Sequence, residues 1–153
     1  MAAPDGLTPN RLTYVLDQNF SGHMLELLRL ARVEPVGRIT SLAELGFAGD
    51  VADEQWLSDL GSRGGFCVVT RDGAILQVSI ERQAWSTAGV SLLVLDKQWG
   101  QQPRRELSRR LLYWWPHMVG HAEAGRPGSA WTVPHHLPDP PARGIRLVTG
   151  PSS

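Results

Sequence analysis

Only one cysteine, Cys67, occurs in the 153 residues, so no internal disulfide can form. It falls inside a predicted strand and reads as an inert core residue. Neither sign of charge is in excess, because 15 basic residues balance 15 acidic ones. That removes the simplest mark of a nucleic-acid binder, a strongly basic domain. Acidic ligands could still hide a basic face in the total. No apolar run approaches the roughly 20 residues needed to cross a bilayer, which argues against a membrane role. The opening Met1-Ala2-Ala3-Pro4-Asp5-Gly6 has neither the basic segment nor the apolar core of a secretory signal, so a cytoplasmic location is expected. There is no phosphate-binding glycine loop, no nucleophile elbow and no cysteine pair for zinc.

What the chain does have is an alternation of apolar runs with helical patterns. Its length suits one domain of the common size, about 100–150 residues. Residues 1–11 read as a tail, 12–123 as the domain, and 124–153 as a Gly/Pro-rich extension with short edge strands near 131–133 and 145–148. Strands are predicted at 12–17, 36–39, 66–70 and 90–95. Helices are predicted at 21–32, 50–60, 74–83 and 103–115. Ser41-Leu42-Ala43-Glu44 matches a capping box and predicts a short helix stopping near Gly46. Gly61, Gly64 and Gly65 are read as breaking the 50–60 helix. Strands alternating with helices predict an α/β fold with a mostly parallel sheet covered on both faces.

Three acidic clusters carry the chemical signal. Asp17-Gln18-Asn19 closes one apolar strand, and Thr70-Arg71-Asp72 closes another. Ligands of open parallel α/β sheets bind outside the carboxyl ends of the strands. Asp17 and Asp72 would therefore share one crevice, where like charges repel. A hard cation such as Mg2+ or Mn2+ resolves that conflict, because it prefers oxygen ligands. Asp53-Glu54, in the first turn of a helix, could supply a third ligand, with Asp53 preferred. The helix dipole alone also favours acids there. Asp96 ends another strand and is either a further acid at this edge or a salt-bridge partner.

The remaining candidates each have two readings. Asp72 could instead cap the next helix, and Asn19 either orients a water or phosphate or completes a turn. Thr70 could hold a carboxylate or a metal-bound water. Arg71 could meet a phosphate or neutralise the acids. Arg104, Arg105, Arg109 and Arg110 form either a solvated helix face or a contact to a nucleic-acid backbone. His117 and His121, four apart, and the adjacent His135-His136 suggest a rival zinc site, but Pro116 and Gly120 argue against a regular helix there and the glutamate of a zinc-protease motif is missing.

The order of these motifs resembles the PIN-like nucleases over residues 12–96. An Asp-Gln-Asn after the first strand is followed by Ala52-Asp53-Glu54-Gln55-Trp56-Leu57 and Val68-Val69-Thr70-Arg71-Asp72. The pattern is similar to that of VapC-type toxins of bacterial toxin–antitoxin pairs. The resemblance implies a three-layer α/β/α fold and Mg2+- or Mn2+-dependent hydrolysis of RNA. Asp17, Asp53 and Asp72 would be the catalytic metal-binding acids, with Glu54 as a substitute for Asp53. Asn19 and Thr70 would stand beside them. Relatives often continue the last motif with a further Asp and Phe, where this chain has Gly73-Ala74-Ile75, so only Asp96 could serve as a fourth acid. That departure motivates an alternative, a non-catalytic module binding RNA or protein through Arg105 and Arg109. An antitoxin and a second copy of the chain are the expected protein partners, and the Trp-rich segment could supply such an interface. For most of its tryptophans, core packing is the more ordinary role.

Overall fold

Short runs of β-branched and aliphatic residues form the centre of the molecule. The structure, a computed structural model, describes residues 12–17, 20, 22–47, 49, 52–71, 89–135 and 144–148, without the side chains of Asp53 and Glu54. Strands β1 (Thr13–Leu16), β2 (Ile39–Ser41), β3 (Phe66–Thr70), β4 (Ser91–Leu95), β5 (Ala130–Val133) and β6 (Arg146–Leu147) form one sheet among the described residues, in the order β2-β1-β3-β4-β5-β6. The first five run parallel, and β6 pairs antiparallel with β5. Every residue of β4 is buried, as expected of a strand covered on both faces.

Alternation along the strands separates two cores. Tyr14, Leu16, Cys67, Val69, Leu93 and Leu95 face the helices α1 (Gly22–Leu30) and α3 (Arg104–Ala124). Val15, Val68, Leu92 and Val94 pack with Trp56, Leu57 and Leu60 of α2 (Asp53–Arg63). The result is three layers, helix–sheet–helix. Trp56, Trp99, Trp114, Trp115 and Trp131 are all buried inside these cores, so none of the five offers an outer face to a partner.

Several elements differ from the sequence reading, among them α1, which stops at Leu30 and not near Arg32. β2 begins at Ile39, because Gly37 takes a positive φ of 85° in a turn and leaves Val36 50% exposed. The capping box at Ser41 makes a turn and no helix. Ser41 Oγ does accept the Glu44 N–H at 3.1 Å, but the Glu44 carboxylate is drawn away to Arg29 and Thr40. α2 starts at Asp53 and runs through Gly61; Gly64, at φ 80°, ends it with its N–H on the Leu60 carbonyl. α3 passes Pro116 and continues to Ala124. Proline inside a helix costs a hydrogen bond. Here it sits on the exposed side, while Trp114, Trp115, Met118, Val119 and Ala122 are buried against the sheet. Of the two C-terminal strands read as edge strands, β5 is interior and β6 lies at an edge of the sheet, opposite β2. The helix predicted at 74–83 lies outside the described residues. No helix among the described residues is long and apolar enough to cross a membrane.

Candidate functional site

The chain leaves β1 toward β2 on one side, then crosses back to β3 on the other. The strand order therefore reverses between β1 and β3, and such a switch point opens a crevice at the carboxyl ends of the strands. Asp17 follows β1 there, and Thr70 ends β3. The Asp17 N–H donates to the Val69 carbonyl at 3.1 Å, which continues the parallel ladder one residue past β1. This brings the two side chains together, and the Thr70 hydroxyl donates to Asp17 Oδ2. Thr70 is fully buried and Asp17 is only 9% exposed. A carboxylate so far from water needs hydrogen-bond donors, and the hydroxyl supplies one while fixing the plane of the group.

Beside the pair, the Arg71 guanidinium lies over the Phe20 ring, 5.4 Å from its centroid. This is a cation–π contact within the usual range. On the β2 side of Asp17 a cavity of about 250 Å³ opens between the strand ends and the start of α1. Asp17, Leu16, Phe20, Leu25, Ser41 and Leu42 line it. One carboxylate thus borders both the switch point and an apolar-walled recess.

The other expected residues fall in different places. α2 ends at the opposite edge of the sheet, where Gly64 and Gly65 lead into β3. Its 11 residues, at about 1.5 Å each, return the backbone of Asp53 and Glu54 to the carboxyl edge. Asn19 and Asp72 lie outside the described residues. Asp96 does end β4 at this edge, but its carboxylate is engaged. Oδ1 accepts the Gln98 N–H at 3.1 Å, capping a 3-10 turn, and Oδ2 takes the His135 N–H at 3.2 Å and lies 3.1 Å from His135 Nδ1.

α3 starts at the same edge. Arg105 is exposed, Arg109 pairs with Glu106 at 2.9 Å, and Arg110 donates to the His135 carbonyl as well as to Glu106. Arg110 is therefore structural, while Arg105 and Arg109 lie on the outer face. His117 and His121 do sit on a regular helix, contrary to the expectation from Pro116. They pack against Trp114 and Trp131, and burial followed by the nearby His117 lowers the His121 pKa. Among the described residues no three His, Cys, Asp or Glu side chains gather closely enough to hold a metal ion.

Sequence reasoning missed Phe20, which anchors Arg71, and it read His135 as part of a rival zinc site where the structure pairs it with Asp96. Phe20 left a faint signal as an aromatic immediately after the Asp-Gln-Asn cluster. The pairing of His135 with Asp96 left none, because the two are 39 positions apart.

A family model described as a PIN like domain matches residues 12–97, more than half of the chain. The match runs from the residue before β1 to the residue after Asp96 and so contains the whole switch point. Domains of this kind are generally nucleases. No curated protein and no solved structure matches the chain.

Proposed function

The chain belongs to the PIN-like family, and from that premise we propose that it is a metal-dependent endoribonuclease, the toxin of a toxin–antitoxin pair acting in the cytoplasm. The observation that carries the reading is the Asp17–Thr70 pair at the switch point, beside an open recess. A buried carboxylate held by a neutral hydroxyl is an oxygen donor of the kind Mg2+ and Mn2+ prefer. Asp17 would hold the ion together with Asp53 or Glu54 and with Asp72. The ion, when bound, supplies an activated water and neutralises charge on the scissile phosphate.

The protein's own groups do the rest. Thr70 keeps the Asp17 carboxylate in one orientation. Arg71, steadied on Phe20, would meet a phosphate oxygen, and Asn19 would orient the phosphate or the water. Asp72 or Asp53 would take the proton released by the attacking water. Arg105 and Arg109, on the outer face of α3, would follow the RNA backbone. An antitoxin and a second copy of the chain are the proposed protein partners.

A second reading, a non-catalytic module that binds RNA or protein, is favoured by one observation. Both oxygens of Asp96 are committed to Gln98 and His135, so the one acid that could complete a fourth position is occupied. Cleavage of a mixed RNA pool in Mn2+, Mg2+ or EDTA separates the two. The nuclease reading expects fragments with either metal and none in EDTA. RNA binding that ignores metal, with no fragments in any condition, selects the binding module.

A further inference from the structure

Among the described residues, the recess beside Asp17 is walled mostly by apolar side chains. Its volume of about 250 Å³ falls below the roughly 300–1,000 Å³ of pockets that hold drug-sized ligands. It therefore suits one ring system and not a whole nucleotide. The walls are Leu16, Leu25, Leu42 and the Phe20 ring, with Asp17 at one side and Ser41 at another. Ser41 Oγ already accepts the Glu44 N–H, which leaves its O–H to donate to the edge of a flat polar ring. Arg71 lies over Phe20 and joins this wall to the end of β3. A planar group with apolar faces and a hydrogen-bonding rim fits such a site, as aromatic platforms that receive bases do.

We propose that this recess, walled by Phe20, Leu25 and Leu42 and shared with Asp17, takes one unstacked base of a single-stranded RNA, next to the phosphate being cut. The inference rests on the nuclease reading and adds to it a site that makes the enzyme sensitive to the base at one position. A duplex would not enter, because its bases are stacked and paired.

The test uses short single-stranded RNAs that differ only in one abasic nucleoside, scanned across the cleavage position. They are cut by the wild-type protein and by Ala43→Phe. Ala43 is exposed at the mouth of the recess, so a phenylalanine there fills the space without touching the core. In the wild type, one abasic position next to the cut should lower kcat/KM by roughly 5- to 150-fold, the value of one stacked base. Ala43→Phe should cut intact RNA at that lowered rate and lose all further response to the abasic site.

A flat abasic profile overturns the proposal. So does a profile unchanged in Ala43→Phe, which would put the base elsewhere. Equal losses on intact and abasic RNA in Ala43→Phe would assign the recess to sugar or backbone and also overturn it. In all three cases wild-type cleavage persists and the nuclease reading stands. Failure of the wild type to cut any RNA removes both.

Discussion

Replacing Thr70 by valine removes one hydroxyl from a fully buried position and little else, since the side chain keeps its shape. The hydroxyl donates to the Asp17 carboxylate, itself 9% exposed. A hydrogen bond to a charged group contributes about 1.5–3 kcal/mol, and a buried acceptor that loses its donor bears the desolvation cost. Thr70→Val should therefore destabilise the fold by about 1.5–3 kcal/mol. For a chain of this length that is a fall in Tm of roughly 3–12 °C. A second consequence follows if Asp17 holds a metal ion. Groups that orient a ligand through a hydrogen bond typically govern about 10–100-fold in metal affinity or activity. The Mn2+ concentration giving half-maximal cleavage should rise by that factor, and Thr70→Ser, which keeps the hydroxyl, should restore most of it. Thermal melting and a Mn2+ titration of RNA cleavage read the two effects separately. An unchanged Tm refutes the energetic argument. A lowered Tm with an unchanged Mn2+ midpoint refutes the orienting role.

Three further outcomes follow from the packing. A Cβ on Gly125 would run into the Trp131 ring, so Gly125→Ala should lower stability by about 1–3 kcal/mol, seen as a shifted urea midpoint at constant slope. The Glu44 carboxyl is held below its usual value of 4.5, first by the hydrogen bond from Arg29 and then by that from Thr40. A depressed carboxyl adds stability above its unfolded pKa and loses it as pH falls through the folded one. Wild type should thus lose stability relative to Glu44→Gln below about pH 4.5, by only about 0.2–1 kcal/mol because both partners are nearly half exposed. Burial, aided by the charge of Glu123, pushes the Cys67 thiol well above its ordinary range, so a thiol reagent at about pH 8 should label it only after unfolding.

The parallel core was legible because β1, β3 and β4 are mostly apolar runs of strand length separated by helical patterns, and that alternation needed no long-range information. Asp17 and Thr70 were legible for the same reason, as polar residues at the ends of such runs. Where reading failed, distant contacts decided. The capping box at Ser41 has the right local letters, yet Arg29 captures the Glu44 carboxylate from α1. Pro116 and Gly120 argue locally for a helix end, but the buried tryptophan and methionine face of α3 carries the helix past both. Asp96 looked like a spare acid because nothing nearby in sequence announces His135. The recess beside Asp17 joins α1 to the end of β2, so no single segment could reveal it.

The most direct test of the central claim compares wild-type protein with Asp17→Asn on a mixed RNA pool in Mn2+, with circular dichroism to show that both are folded. The account predicts cleavage by the wild type and its loss in the variant at unchanged fold. Equal cleavage by both proteins would contradict it.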